Sequence, residues 1–281
     1  MITMASDDRA IRDSDEGAGR HRRALALVAR TRLPFVVGGG YALRHYAADV
    51  RETKDLDIFV YRRDALDLLD RLSAAGFETT LAFPHWLGKA RIGSAHVDVI
   101  YSSGNGLAEV DDDWFTHSVR ATVLGLPVPL CPVEEMIWSK AFVMERERYD
   151  GADVSHLIRA CHGQIDWRRL VSRFGSHWRV LLSHLTLFGF IYPGERECVP
   201  AEIMRELGRR LEDESRRPEP EGRLCRGTLL SREQYLTDIS HWGYADGRLW
   251  PHGSMTAADV ANWTAAIDAE EGPENASRGG R

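Results

Sequence analysis

VVGGGYALRHYAADVRETKDLDIFV, residues 36–60, is the stretch whose reading decides the fold. The apolar run LPFVV enters three glycines, the pattern of a strand running into a tight turn. YALRHYAA (41–48) follows as a short helix opening at that turn, and KDLDIFVY (54–61) alternates acidic and apolar residues before turning wholly apolar, as a buried strand does. Residues two apart on a strand share a face, so Asp55 and Asp57 project together. Paired carboxylates repel unless cations lie between them. Further along, HVDVIYSS (96–103) reads as a second alternating strand with Asp98 between Val97 and Val99. If it pairs beside the first, three carboxylates converge. Such a cluster suits Mg²⁺, a hard cation that takes oxygen ligands and is completed by substrate phosphates. Two such ions clamp the attacking and leaving oxygens of a phosphoryl displacement. Without side chains, Gly39 and Gly40 let the backbone approach a triphosphate, and the following helix offers free N–H groups.

Working outward, HRRALALVART (21–31) precedes the stretch as a helix, and RRDALDLLDRLSAAGF (62–77) follows as another, closed by Gly76. Strands are expected near 78–83 and 123–131. From Pro132 the pattern turns helical: PVEEMIWSKAFVMERER begins with Pro and acidic residues, and three further helical stretches extend to about 215. These readings divide the chain into a flexible arm (1–19), an α/β domain (20–131) and a helical domain (132–212). A charged, proline-bearing linker (213–229), an aromatic-rich ordered segment (230–268) and a flexible tail (269–281) complete it.

Composition narrows the function. A formal net charge of -6 gives no general footprint for nucleic acid. The four cysteines are widely spaced without a CxxC pair, which fits buried thiols in a reducing compartment, and no histidine spacing suggests zinc. No apolar run approaches a membrane span and the N-terminus lacks a signal-peptide core, so the expected location is cytoplasmic, with no membrane partner.

GGYAL, RETKDLDIFV and HVDVI together resemble the DNA polymerase β-like nucleotidyltransferase superfamily, with its Gly-Gly turn, DxD strand and distant third aspartate. The form is most similar to the bacterial branch containing abortive-infection AbiEii-type proteins and antibiotic-modifying nucleotidyltransferases. The resemblance implies an α/β (α+β) nucleotidyltransferase domain with a short mixed sheet, followed by a helical domain. It implies transfer of a nucleotide from an NTP to an acceptor hydroxyl, with pyrophosphate released. Asp55 and Asp57 would ligate two Mg²⁺ ions, or Mn²⁺ in their place, and Asp98 would ligate the catalytic ion and help deprotonate the acceptor. Gly39 and Gly40 would face the β- and γ-phosphates, Arg51 and Thr53 would contact the nucleotide, and Lys140 would neutralise the leaving pyrophosphate. The acceptor stays open between a small molecule such as an antibiotic, a tRNA 3′ end and a protein, with a partner protein if the chain is half of a toxin–antitoxin pair. The turn carries Gly40-Tyr41 where the commoner form has serine, and Tyr149-Asp150-Gly151 departs from the family's Lys-Asp run near Arg148 and Asp153.

Plainer readings stand beside these. Arg51 and Thr53 would merely cap the strand or pair with Asp49 or Glu52, Lys140 would be a solvated helix lysine, and Asp98 a strand aspartate paired to an arginine. Asp111-Asp112-Asp113 reads as a solvated loop before Trp114, or else as a seat for a cationic acceptor, and Trp138, Trp167, Trp178, Trp242 and Trp250 as core. Two rival functions are a non-catalytic nucleotide- or partner-binding member of the same fold and a glycosyltransferase using DxD to hold a nucleotide-sugar.

Overall fold

A computed structural model describes residues 4–48, 53–219 and 222–270, with side chains placed within 17–266. The chain divides into two compact units, residues 1–103 with 109–136 and residues 104–108 with 137–281.

The first unit is a seven-stranded mixed sheet with helices. In chain order it contains α1 (Met4–Arg30), β1 (Phe35–Val37), α2 (Gly39–Tyr46), β2 (Asp55–Val60), α3 (Arg62–Ala74), β3 (Glu78–Phe83), β4 (Leu87–Ile92) and β5 (Ala95–Ile100). There follow α4 (Asp112–Thr116), β6 (Val119–Val123), β7 (Leu126–Leu130) and the start of α5 (Val133–Ala141). The strand order is β3-β4-β5-β2-β1-β7-β6. β2 runs parallel to β5 and antiparallel to β1, and β1 runs parallel to β7.

Alternation along the central strands separates two faces. Leu56, Ile58, Val60, Val97 and Val99 are wholly buried, and the buried residues of α3 (Ala65, Leu68, Leu69, Leu72) repeat at helical spacing to cover that side. Leu69 lies so close to β4 that a Cβ on Gly88 would meet its Cδ1 at 2.5 Å. Ala24, Leu25 and Val28 of α1 are buried as well. Each large aliphatic side chain buried this way contributes about 1.5–3 kcal/mol. The other face carries Asp55, Asp57 and Asp98, which its exposure to solvent permits.

Several sequence expectations change. The helix expected at 21–31 begins at Met4, inside the stretch read as a flexible arm, because lengthening an existing helix avoids the cost of nucleating one. β4 and β6 are added to the expected strands. The helix from Val133 stops at Ala141 rather than running on through MERER, since residues 143–150 fold into a tight turn bridged between Met144 and Tyr149. Glu145 there accepts hydrogen bonds from Ser231 Oγ at 2.6 Å and the Arg232 amide at 3.1 Å, contacts that no local pattern announces. Asp111-Asp112-Asp113, expected as a solvated loop, instead opens the short helix α4. Asp111 caps α4 by accepting from the Asp113 amide, and Asp112 accepts from the Tyr61 hydroxyl at 2.5 Å.

The second unit contains the end of α5, then α6 (Gly151–Cys161), α7 (Trp167–Phe174), α8 (Trp178–Ile191), α9 (Ala201–Ser215), β8 (Leu224–Cys225), α10 (Leu236–Ser240), β9 (Ala245–Asp246) and α11 (Ala257–Glu270). Asp166 caps α7 by accepting from the Arg168 and Arg169 amides, and Trp167, Leu170, Val171 and Phe174 bury one face of that helix. Asn105, from the segment 104–108, donates to the Leu229 carbonyl at 2.7 Å. The stretch read as a linker holds β8, which pairs with β9. Of the tryptophans expected in the core, Trp138, Trp167 and Trp178 are buried, whereas Trp242 and Trp250 are exposed. All four cysteines are buried free thiols. Among the described residues no helix is long and apolar enough to cross a membrane.

Two features of this unit make stability sensitive to mutation and pH. Asp246 and Arg248 form a buried pair, 3% and 1% exposed, completed by Thr228 Oγ1 at 2.8 Å. Burial alone would raise the Asp246 carboxyl, but hydrogen bonds from Arg248 and Thr228 outweigh it and hold it below its ordinary 3.8. Removing one partner of a buried pair strands the other, so Asp246→Ala is expected to cost about 3–5 kcal/mol in urea unfolding of the full chain. His184, buried with its ring nitrogen 2.8 Å from the Ala141 carbonyl, and His177 are both held below the ordinary 6.5, chiefly by burial. A lowered histidine value means that the unfolded chain takes up protons first. Their contribution is therefore complete above pH 6.5 and is lost as pH falls through their folded values, so thermal midpoints are expected to drop below pH 6.5, and less so in His184→Gln.

Candidate active site

The site begins with strand register. Asp57 and Asp98 are direct partners on parallel β2 and β5, and Asp55 lies two residues before Asp57 on the same face. Asp55 is exposed, while Asp57 and Asp98 are half-buried between apolar neighbours that point to the opposite face. The sequence leads one to expect the two strands side by side, and they pair in parallel with Asp57 directly opposite Asp98. The register continues outward, since Lys89 of β4 stands directly opposite Asp98 and Arg91 opposite His96.

The glycine turn is shaped by what lies beneath it. Gly39 has φ +53, and a Cβ there would stand 1.7 Å from Asp57 Oδ2. A Cβ on Gly38 would meet the Phe59 ring at 2.3 Å, and one on Gly40 would meet Thr53 Cβ at 2.4 Å. The turn thus rests on Phe59 and Asp57 of β2 and on Thr53 just before it. Gly38 also donates its amide to the Asp57 carbonyl at 3.0 Å. Sequence reasoning assigned the glycines to phosphate approach alone. The structure shows a second requirement, the close packing of the turn on Asp57 and Thr53. Thr53 itself donates its hydroxyl to the Asp55 carbonyl at 3.0 Å, stiffening the entry to β2.

A third support was invisible in the motif. His21 of α1 is 4% exposed, with Nε2 3.0 Å from the His96 carbonyl and Nδ1 3.0 Å from the Tyr41 hydroxyl. A carbonyl only accepts, so Nε2 carries the proton and Nδ1 accepts from Tyr41 in the neutral ring. Burial holds His21 below its ordinary value, against the opposing pull of that carbonyl bond and of Asp55. The ring therefore ties α1 to the start of α2 and to β5 beside the acids. Nothing in HRRALALVART marks His21 for this, because its partners lie 20 and 75 residues away.

Arg51 lies outside the described residues. Lys140 is placed in the second unit, where it is not solvated. Its Nζ donates to Asp150 at 3.0 Å and to Asp153 at 2.7 Å, and Arg148 also binds Asp150. Burial would raise the Asp150 carboxyl, but Arg148 and Lys140 prevail and lower it. Among the described residues no three histidine, cysteine or acidic side chains are gathered into a ready-made ion cage. The donor set at Asp55, Asp57 and Asp98 still fits a hard cation of the Mg²⁺ type, which characteristically takes one or two carboxylates and leaves other positions to substrate phosphates.

Gly39→Ala tests the turn. The added Cβ both contradicts the positive φ and displaces the Asp57 carboxylate. The expected result is a stability loss of at least about 1–2 kcal/mol by thermal unfolding.

Residues 22–130, under half of the chain, match the family model of aminoglycoside-2''-adenylyltransferase. No curated protein matches the chain. Among solved structures, the antibiotic-resistance factor ANT(2'')-Ia in solution is similar at 18% identity, over 60% of this chain and 97% of its own, with a TM-score of 0.44. The crystal structure of ANT(2'')-Ia with adenylyl-2''-tobramycin is similar at 17% identity over 62% and 98% of the two chains, TM-score 0.40. The lincosamide antibiotic adenylyltransferase LnuA, with lincomycin bound, stands at 14% identity over 47% and 90%, TM-score 0.36. The family match spans the glycine turn and all three aspartates of the first unit.

Proposed function

We propose that the protein is a metal-dependent enzyme that transfers a nucleoside monophosphate from an NTP to an acceptor hydroxyl. The observation that carries this reading is the matched register of Asp57 and Asp98, with the Gly39 turn seated on Asp57. Two Mg²⁺ ions, or Mn²⁺, would supply Lewis-acid neutralisation of the phosphate charge. Asp55 and Asp57 would hold them, with Asp98 sharing one. The Gly39–Gly40 backbone would lie along the triphosphate, and the first turn of α2 would direct its N–H groups to it. Thr53 and Arg51 complete the proposed donor contacts. Asp98 Oδ would take the acceptor's hydroxyl proton, the acceptor oxygen would bond to the α-phosphorus, and the bond to the β-phosphate would break to release pyrophosphate.

The description of the matched family supports ATP as donor and a small molecule as acceptor. Calorimetric titration with ATP, GTP, CTP and UTP in Mg²⁺ is expected to show one preferred donor, with binding lost in Asp57→Asn. Asp98→Asn should keep donor binding and lose turnover by about a hundredfold or more in pyrophosphate release. If no NTP binds, the catalytic reading fails and a scaffold or a nucleotide-sugar enzyme takes its place.

A further inference from the structure

Resting on the reading above, the geometry points to the charge of the acceptor. The open face of the sheet continues past Asp98 onto β4 and β3, and its register is fixed. Lys89 is the direct cross-strand partner of Asp98, with Thr80 opposite Lys89 on the far side. One step along the strands, Arg91 stands opposite His96 and beside Glu78, whose carboxylate it binds at 2.6 Å. Direct cross-strand partners hold their Cβ atoms about 4.5–5.5 Å apart, so the Lys89 ammonium lies within side-chain reach of the base that receives the acceptor's proton. Lys89 is exposed. The face beyond Asp98 thus presents two cations against one carboxylate, and that carboxylate is already bound.

We propose that Lys89 selects a small acceptor bearing a phosphate or carboxylate near its reacting hydroxyl, and that it rejects polycationic acceptors. An aminoglycoside carries several ammonium groups, and juxtaposing one with Lys89 is repulsive. The acidic run that could serve a cationic acceptor, Asp111 to Asp113, lies by Tyr61, whose hydroxyl donates to Asp112. Tyr61 follows the end of β2, roughly 13 Å along the strand from Asp57 at 3.3 Å per residue. An RNA end is the weaker fit, because two cations make too short a path for a polyanion.

The test uses the full chain with Mg²⁺ and its preferred NTP. Glycerol, glycerol 3-phosphate, tobramycin and a short RNA oligonucleotide are compared by pyrophosphate release, and by calorimetry without donor. Glycerol 3-phosphate is expected to lead the others. Lys89→Arg should keep that order, and Lys89→Glu should weaken glycerol 3-phosphate at least about tenfold while improving tobramycin. Preference for tobramycin or for the oligonucleotide alone, no discrimination among the probes, or an order unchanged in Lys89→Glu overturns the proposal. The donor-free titration reads the Lys89 effect even if no NTP binds, so failure of the enzyme reading and failure of this inference are separate results.

Discussion

The contact between the glycine turn and β2 is the constraint on which the site depends. Three consecutive residues without side chains, Gly38 to Gly40, lie over Phe59, Asp57 and Thr53, and any Cβ there would enter a neighbour's volume. The same contact sets where β1 ends, where α2 begins and how the Asp57 carboxylate is held. A turn that admits only glycine backbone is also a turn whose N–H groups remain accessible to an anion. Packing and the proposed phosphate contact thus draw on the same residues.

The sheet then distributes chemistry by parity. Odd-numbered positions of β2 (55, 57) and even-numbered positions of β5 (96, 98) share the open face, and the intervening valines, leucine and isoleucine fill the core beneath α3. A slip of one residue in either strand would bury a carboxylate and expose a core aliphatic. The hydrophobic face therefore protects the register on which the acids depend. His21 adds a polar restraint, since a neutral ring bridging a backbone carbonyl and the Tyr41 hydroxyl can hold only one tautomer and one orientation.

The second unit handles charge differently, by burying it in pairs. Lys140 with Asp150 and Asp153, and Arg248 with Asp246, are largely removed from water, and the cations hold the Asp150 and Asp246 carboxyls below their ordinary range. Such pairs add little net stability over apolar substitutes, yet they are costly to break because the survivor is left charged and dry. They act as registration points for α5 and α6 and for the β8–β9 ladder.

Local pattern alone was enough for β1, β2, α3, β5 and the acidic pair Asp55 and Asp57, because side-chain parity and the glycine turn are properties of adjacent residues. The convergence of Asp98 was legible only conditionally, since two strands separated by some forty residues must pair in parallel, and pairing is a tertiary choice. Where MERER leaves the helical pattern, how Lys140 is bound and why His21 matters were not legible. Each depends on partners distant in sequence, such as Ser231, Asp153 or the His96 carbonyl. Lys89 gave no signal either, as it lies on β4, which carries no expected strand pattern, and gains meaning only opposite Asp98. The sequence by itself determined which residue types and which strand faces could hold phosphate chemistry, through periodicity and the steric freedom of glycine. Only the tertiary structure decided which charges stand next to them, because cross-strand register and burial are set by packing between segments that local sequence does not connect.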